Sequence, residues 1–316
     1  MVTRSTAPVW AKSVGLVAAV FLGLVLLVAA WAKAVDPEAF TQQIRVEGID
    51  IFGLAAQVAY LAIVIEIGLG TALVLGIRRS WVLIPTVLLV AFFLFLTGRA
   101  YWRFEQGIID ETESCGCFGN LVSRTPAEAF WQDLLLLAVP AILAFLGRSD
   151  SSTRFPTKRV LVVAAVTVAG LIFSLRAPSL PLDDLATRLK PGVEVSDLCV
   201  GADDSPERLC LDTVVSELES GRHWVILSGL EEESLLAAMP ELNAAAVDGD
   251  GPSLWIVTTA VPEVVAAFEW TQAPAFGLRE APPGLVRPLH RRLPRSFLVE
   301  DGVVIETVSG LPRIEN

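Results

Sequence analysis

The 316-residue chain is 53% hydrophobic and 19% charged, and its mean hydropathy is +0.58. Such a composition is typical of a protein with about half of its chain in a membrane. Residues 1–176 carry 14 Lys and Arg against 12 Asp and Glu, whereas residues 177–316 carry 10 against 23, which gives the net charge of −11. Neither part is basic enough to bind nucleic acid. The sequence therefore predicts a nearly neutral membrane body followed by an acidic soluble domain.

Five apolar segments predict transmembrane helices, each of which needs about 20 residues. They comprise residues 14–32, 54–77, 81–101, 127–147 and 160–175. Pro140 predicts a kink in the fourth segment, and residues 36–53 predict a polar connection. Ala32-Lys33-Ala34 is also similar to a signal-peptide cleavage site. An uncleaved first helix is the preferred interpretation because further spans follow, and cleavage stays open as the alternative.

The distribution of basic residues predicts the orientation of these helices. With the N-terminus inside, the inner flanks hold one acidic residue, Asp150, and eight basic ones: Arg4, Lys12, Arg78, Arg79, Arg148, Arg154, Lys158 and Arg159. The positive-inside rule then places the N-terminus in the cytoplasm and the second half of the chain outside. All four cysteines also lie outside, where disulfides persist. Because 20 of the 24 basic residues are Arg, we expect a bacterial plasma membrane protein.

The second half of the chain alternates between strand and helix patterns. Strands are predicted at residues 222–228 and 253–259, helices at residues 231–246 and 262–271, and a hairpin at residues 296–308. This order implies a small α/β domain. The predicted boundaries are a cytoplasmic N-terminus at 1–13, a four-helix membrane domain at 14–147, a basic cytoplasmic link and fifth helix at 148–176, a linker at 177–192 and an extracytoplasmic domain at 193–316.

Cys115-Gly116-Cys117 lies in the polar loop before the fourth helix. A disulfide requires Cα atoms about 4.4–6.8 Å apart, so the chain must bend between these cysteines, and Gly116 bends at the least steric cost. Strained, exposed disulfides are labile and oxidising. The pair therefore predicts catalytic thiol–disulfide exchange, with a structural disulfide or half of a metal site as alternatives. No metal is predicted, because zinc takes four ligands and the two histidines, His223 and His290, lie far along the chain.

Cys199 and Cys210 lie in two short apolar stretches separated by a polar turn. They are placed to face each other across a hairpin. A disulfide there would close a loop of about 12 residues and stabilise the domain by roughly 3 kcal/mol. Two interpretations stay open: a structural disulfide, or a second redox pair that relays electrons to or from Cys115 and Cys117.

Ionisable residues within the predicted helices form a second candidate site. Glu66 lies near the middle of the second helix, where a charge is costly and therefore indicates a function. Asp133 lies about two turns into the fourth helix, and Arg99 and Lys33 lie at the outer ends of the third and first helices. Their depths predict an ionic cluster below the cysteine loop. The alternative is that these charges only tie the helices together.

Three sequence elements in the first half resemble the MauE/DoxX-like membrane proteins. They are Ala32-Lys33-Ala34-Val35-Asp36-Pro37-Glu38-Ala39-Phe40, Glu66-Ile-Gly68-Leu, and Cys115-Gly-Cys117-Phe118-Gly119. The resemblance covers about residues 12–147 and implies a four-helix membrane bundle. The MauE branch is implicated in making the disulfide-rich subunits of methylamine dehydrogenase with a thioredoxin-like partner. The resemblance thus implies a role in methylamine metabolism.

The C-terminal domain resembles the TlpA-like thioredoxin fold. Pro240-Glu-Leu242 matches the proline that follows the active-site turn, and Leu293-Pro294 before residues 296–302 matches the cis-proline and its hairpin. The resemblance makes Pro294 the cis-proline candidate. Where that family has Cys-x-x-Cys, this chain has Glu232-Glu233-Ser234-Leu235. Ordinary thioredoxin chemistry by this domain is therefore excluded.

These observations predict a membrane bundle with a fifth helix and a thioredoxin-like domain that lacks Cys-x-x-Cys. The expected function is thiol–disulfide exchange or disulfide maturation of MauE type, in which Cys115 and Cys117 act on an extracytoplasmic thiol protein or disulfide-rich client. The alternative is a non-catalytic scaffold whose degenerate thioredoxin domain holds a client, so enzymatic activity stays open. The lipid bilayer is an expected partner, and nucleic acid is not. No cofactor is predicted, and a quinone is left open.

Overall fold

The computed structural model of the chain describes residues 9–48, 50, 53–108, 125–148, 156–180, 182–201, 208–248 and 251–313. The chain divides into two units, Met1–Leu180 and Pro181–Asn316. In the first, which we call the membrane unit, five helical segments are long and apolar enough to cross a membrane. The second, which we call the sheet unit, contains a mixed sheet flanked by helices. This architecture confirms the predicted fold class of a helical membrane region followed by a small α/β domain.

Helices in the membrane unit extend the predicted spans by a few residues at most ends. They are α1 (Val9–Val35), α2 (Pro37–Val46), α3 (Ala55–Val74), α4 (Ser80–Glu105), α5 (Pro126–Asp133), α6 (Val139–Leu146) and α7 (Thr157–Arg176). Helices α1 and α3 pack closely where two glycines meet: a Cβ on Gly23 would lie 2.7 Å from the Gly70 carbonyl oxygen. Small residues permit this approach, which is how membrane helices gain packing contacts.

The fourth span is a continuous helical rod with a π-helical segment, Leu134–Ala138, between α5 and α6. Pro140 follows this segment at the start of α6. Proline cannot donate the backbone hydrogen bond of an α-helix, and its ring clashes with the carbonyl four residues earlier. A wider turn before the proline accommodates both effects. The irregularity expected at Pro140 therefore takes the form of a π-helical turn.

Helix α2 corrects the prediction of a polar connection at residues 36–53. Asp36 caps the helix, because its Oδ1 accepts a hydrogen bond from the Ala39 N–H at 3.1 Å, and Pro37 occupies the first turn, where proline is tolerated. Ile44 buries its side chain against Ala55 and Ala59 of α3. The helix was missed because its ten residues are too short and too polar for a membrane span.

Exposed tryptophans mark two levels along the bundle. Trp10 and Trp31 are 21 residues apart on α1, and Trp81 and Trp102 are 21 residues apart on α4. Each separation is about 32 Å at 1.5 Å per residue, close to the roughly 30 Å thickness of the hydrocarbon core. Tryptophans of this spacing are typical of the two membrane–water interfaces. We call the two levels the Trp10 end and the Trp31 end; Trp131 of α5 belongs to the latter.

The sheet unit is built on a five-stranded sheet in the order β5–β4–β3–β6–β7. The unit contains β1 (Cys199–Val200), β2 (Leu209–Cys210), β3 (Arg222–Ser228), β4 (Ser253–Thr258), β5 (Gly277–Glu280), β6 (Arg295–Glu300) and β7 (Val303–Ser309). Its helices are α8 (Asp183–Ala186), α9 (Leu211–Val214), α10 (Glu233–Asp248), α11 (Pro262–Gln272) and α12 (Pro283–Val286). Strands β3, β4 and β5 are parallel, and β6 and β7 form the antiparallel hairpin.

The central strand β3 explains why the sheet is covered on both faces. Val225 and Leu227 pack on one face with Phe297, whereas Ile226 packs on the other with residues of α10 such as Leu235. Successive strand residues point to opposite faces, so a continuous apolar run requires two cores. The predicted βαβ unit and hairpin agree with this arrangement. Strand β5 was not predicted, because only four residues pair and they begin at a glycine.

Candidate functional site

The Cys115-Gly116-Cys117 element lies outside the described residues, which stop at Ile108 and resume at Thr125. The structure describes the helices on either side of it. Helix α4 ends at Glu105 and α5 begins at Pro126, where Thr125 and Glu128 form a reciprocal capping box. Both helix ends lie at the Trp31 end of the bundle. The connection that carries the predicted redox pair therefore starts and finishes at that end.

Lys33 of α1 and Glu66 of α3 form a buried ion pair at the same end. The Lys33 Nζ donates to the Glu66 Oε1 at 2.5 Å, and the two side chains are 1% and 0% exposed. Side chains of a helix tilt toward its N-terminus. Because α1 and α3 run in opposite directions, Lys33 leans toward the Trp10 end and Glu66 toward the Trp31 end, so the two converge. The structure thus joins two of the four predicted intramembrane charges.

Aromatic rings surround the ammonium group of Lys33. Its Nζ lies 5.1 Å from the ring centroid of Phe40 on α2 and 4.7 Å from that of Phe93 on α4. A cation above an aromatic face is attracted by the ring quadrupole, more strongly where water is excluded. Glu66 Oε2 is buried and has no hydrogen-bond partner among the described residues. One lysine therefore connects helices α1, α2, α3 and α4, while half of its carboxylate partner stays unsatisfied.

Asp133 of α5 lies at a comparable depth. Ala100 of α4 packs against Ala129 of α5, and the two helices are antiparallel, so Asp133 lies level with Thr97. Both side chains are buried, and the Thr97 hydroxyl donates to the Phe93 carbonyl at 3.1 Å. Asp133 immediately precedes the π-helical segment, a feature that is frequent at functional sites.

We refer to Lys33, Glu66, Thr97 and Asp133 as the polar layer. Glu66 is four residues from Gly70, which contacts Gly23, so it lies level with Leu27 and about 6 Å inside the plane of Trp31 at 1.5 Å per residue. Thr97 is five residues from Trp102, about 8 Å inside by the same rise. Glu66 is the twelfth of the 20 residues of α3, and by this helical rise it lies nearer the Trp31 end of the bundle than the Trp10 end.

Arg99, the fourth predicted intramembrane charge, points away from the polar layer. Its Nη1 donates to the Glu47 carbonyl oxygen at 2.9 Å and lies 3.8 Å from the Glu47 carboxylate. The Arg99 side chain is 40% exposed. Long basic side chains near helix ends commonly reach toward the interface in this way. Arg99 thus fastens the end of α2 to α4.

In the sheet unit, Cys199 and Cys210 form a disulfide between β1 and β2. The two residues are direct partners in the antiparallel register, and their Cα atoms are 3.9 Å apart. The predicted facing of these cysteines across a hairpin agrees with this pairing. Cys199 is also buried, as is Val200 beside it. The disulfide is therefore a covalent link between the two strands of the β1–β2 pair.

The N-terminus of α10 carries a carboxylate where the resemblance expected Cys-x-x-Cys. Glu232 Oε2 accepts from the Ser228 hydroxyl at 2.6 Å, and Glu232 Oε1 accepts from the Gly229 N–H at 2.7 Å. The Leu230 N–H donates to the Ser228 Oγ at 2.8 Å. These bonds close the turn between β3 and α10. The peptide bond Leu293-Pro294, predicted as the cis-proline element, is cis.

A buried basic cluster lies beside that proline. The Arg295 guanidinium is 1% exposed and donates to Thr187 Oγ1 at 2.6 Å and to the Leu289 carbonyl at 2.8 Å. Burial, followed by the positive charges of Arg295 and Arg287, lowers the pKa of His290 from 6.5 to about 4. His290 is therefore a neutral imidazole at pH 7.

Several features of the candidate site had almost no signal in the sequence. Phe40 and Phe93 are ordinary apolar residues until the fold brings them to Lys33. Thr97 and the π-helical segment were missed for the same reason. The period of apolar residues identifies helices, but it does not specify which helices are neighbours. The helical spacing of Thr97 and Phe93 was the one signal that placed them on the same face of α4.

One comparison with known families finds a match within the membrane unit. Residues 11–147 match the family described as methylamine utilisation protein MauE. The match runs from the start of α1 to the end of α6 and includes the polar layer and both cysteines of the Cys-Gly-Cys element. It confirms the predicted resemblance over this region, which is less than half of the chain. A comparison with curated proteins finds no match.

Proposed function

We propose that this membrane protein performs thiol–disulfide exchange of MauE type through Cys115 and Cys117, acting on an extracytoplasmic thiol protein or a disulfide-rich client. The observation that carries the proposal is the family match over residues 11–147, because it covers the helical bundle together with the cysteine pair. The family's description makes methylamine utilisation the metabolic context that we propose. The bilayer itself is the partner of the five long apolar helices.

The position of the helix ends supports this function. The loop of Cys115 and Cys117 leaves α4 and enters α5 at the Trp31 end, and α7, the last of the five long apolar helices, also ends there. A cytoplasmic N-terminus puts the Trp31 end outside a bacterial plasma membrane. The redox pair and the sheet unit are then both extracytoplasmic, where protein disulfides persist. Labelling of Cys115 in intact cells by a thiol reagent that does not cross membranes tests this orientation.

The proposed exchange proceeds in two balanced steps. The thiolate of one cysteine attacks a disulfide of the partner, forming a mixed disulfide and releasing one partner thiolate. The second cysteine then attacks the mixed disulfide, which forms the Cys115–Cys117 bond and releases the other partner thiolate. The pair loses two electrons and the partner gains them. The two protons from the pair go to the two partner thiolates, and the reverse sequence oxidises a client.

Trapping of the mixed disulfide tests this mechanism. Cys117→Ser removes the resolving thiol, so Cys115 should stay bound to its partner and be recovered as a higher-mass species under non-reducing conditions; Cys115→Ser tests the opposite order. Replacement of both Cys199 and Cys210 by Ser in the same background is the control and should leave the trapped species unchanged. Absence of a trapped species in both single variants would refute exchange at this pair.

A second function, a non-catalytic scaffold, is favoured by the turn before α10. We propose that the sheet unit has a thioredoxin-like fold, and its helix N-terminus carries Glu232, bonded to Ser228 and Gly229, in place of a thiol. Such a unit can hold a client without exchanging electrons. Replacement of both Cys115 and Cys117 by Ser separates the two functions: exchange predicts that client disulfides fail to form or rearrange, whereas a scaffold predicts that they mature normally.

A further inference from the structure

The Trp10 end of the membrane unit carries a large surplus of positive charge. The chain segments that precede α1 or connect helices at this end, residues 1–13, 75–80 and 147–159, contain one acidic residue, Asp150. Their basic residues are Arg4, Lys12, Arg78, Arg79, Arg148, Arg154, Lys158 and Arg159. One carboxylate neutralises at most one of these cations, whatever the contacts of the individual side chains. Eight basic residues and one acidic residue therefore leave a net charge of +7 at this end.

Arg78 holds the helix ends together at this end of the bundle. It lies in the turn between α3 and α4, residues 75–79, which we call the α3–α4 turn. Its Nη1 donates to the Lys12 carbonyl oxygen at 2.7 Å and to the Gly147 carbonyl oxygen at 2.8 Å. The first turns of α1 and the end of α6 are thereby fastened to the α3–α4 turn. Arg78 is thus a structural residue, and a ligand must be bound by other cations.

Arg159 of α7 reaches the same turn. A Cβ on Gly76 would lie 3.8 Å from Arg159 Nη1, so the guanidinium borders on the α3–α4 turn. Close packing of α7 on α3 fixes this approach, because a Cβ on Gly170 would lie 2.5 Å from the Ile67 side chain. Arg159 and its neighbour Lys158 are both exposed, and neither side chain has a hydrogen bond or ion pair within the part of the chain that the structure describes. Both cations are therefore available to a ligand.

The tryptophans place these cations at the level of lipid headgroups. Trp10 and Trp81 mark the membrane–water interface at this end. Lys12 is two residues from Trp10, and Arg79 is two residues from Trp81, which is about 3 Å at 1.5 Å per residue. Phospholipid phosphates lie at this interface, and basic clusters between membrane helices bind anionic headgroups. The charge and the depth of the cluster therefore fit a ligand that carries a phosphate group.

We propose that the start of α7 and the α3–α4 turn form a binding site for the phosphate group of an anionic phospholipid. Arg159 and Lys158 bind the phosphate, and Arg79 adds positive charge nearby. The acyl chains of the lipid lie against exposed apolar residues of α7, such as Leu161 and Val162. The site depends on a helix that follows the region of the family match. It goes beyond thiol exchange and involves neither cysteine of the Cys-Gly-Cys element.

Native mass spectrometry of the full-length protein in detergent micelles tests the site. The measurement is the dissociation constant of the first bound lipid, for phosphatidylglycerol and for phosphatidylcholine. The wild type should bind phosphatidylglycerol more tightly. One basic side chain near an anionic lipid surface strengthens binding about fivefold, so Arg159→Gln and Lys158→Gln should each weaken the binding of phosphatidylglycerol by about that factor. Binding of phosphatidylcholine should stay unchanged in both variants.

Arg176→Gln is the matched control, because Arg176 is an exposed arginine at the other end of the same helix. It should leave the binding of phosphatidylglycerol unchanged. Equal weakening by Arg176→Gln and Arg159→Gln would overturn the proposal, and so would a wild type that binds the two lipids equally. Inorganic phosphate should release no more phosphatidylglycerol than chloride of the same ionic strength does. Release by phosphate alone would assign the site to a free phosphate and overturn the assignment to a lipid.

Discussion

The Lys33–Glu66 pair offers the clearest test of the membrane unit's structure. Lys33→Met removes the ammonium group but keeps most of the side-chain volume. Removal of one partner of a fully buried ion pair typically costs about 3–5 kcal/mol, because the other charge is left uncompensated. Both side chains are at most 1% exposed, so we expect the loss of stability to lie within this range of about 3–5 kcal/mol. The decrease in stability should appear in α1 and α3, because the ion pair bridges these two helices.

A double-mutant cycle separates the pair from the general cost of mutation. Glu66→Gln alone leaves the buried Lys33 ammonium group uncompensated and should also destabilise by about 3–5 kcal/mol. The double variant should be less destabilised than the sum of the single changes by about 2 kcal/mol or more, since residues in contact are not additive. The measurement is the deuterium uptake of α1 and α3 peptides of the full-length protein in mixed micelles as the SDS fraction is raised.

The exposed pair between Arg99 and Glu47 is the matched control. Its atoms lie 3.8 Å apart, and its side chains are 40% and 23% exposed. Exposed ion pairs contribute about 0–1 kcal/mol, so Glu47→Gln should change stability by no more than that. If the two pairs have similar effects, or if the Lys33 and Glu66 substitutions are additive within about 0.5 kcal/mol, then the buried pair does not stabilise the bundle as argued.

Two further predictions concern the sheet unit and are read from deuterium uptake of its strands in the full-length protein. Gly277→Ala should destabilise β4 and β5 by about 1–3 kcal/mol, because the added Cβ would lie 2.1 Å from the Trp255 ring. Gly251→Ala is the control, and it should leave the stability of these strands unchanged because Gly251 has open space around it. His290, whose pKa is lowered to about 4, should make β6 less stable as the pH falls from about 6.5 to about 4, by up to about 3 kcal/mol. His290→Gln should remove that part of the pH dependence; an unchanged slope would contradict it.

The sequence was most informative where one physical rule dominates. Long apolar runs have few alternatives to membrane helices, so the five spans emerged with small errors at their ends. The strand of residues 222–228 was predicted correctly because a β-branched, apolar run of that length buries both faces of a sheet. Helix α2 is short and amphipathic, and its stability comes from contacts with α3. Strand β5 is short and begins at a glycine, and its stability comes from pairing with β4. No local sequence pattern reveals these contacts.

The candidate site was predictable as a set of charges but not as a set of contacts. A glutamate inside an apolar segment is energetically costly in a membrane, so the sequence alone indicates it as a candidate site residue. Its partner depends on the opposed tilt of side chains on antiparallel helices and on the close approach of Gly23 to Gly70. Those features belong to packing. Arg99, predicted at the outer end of its helix, instead turns outward because Glu47 at the end of α2 lies within its reach.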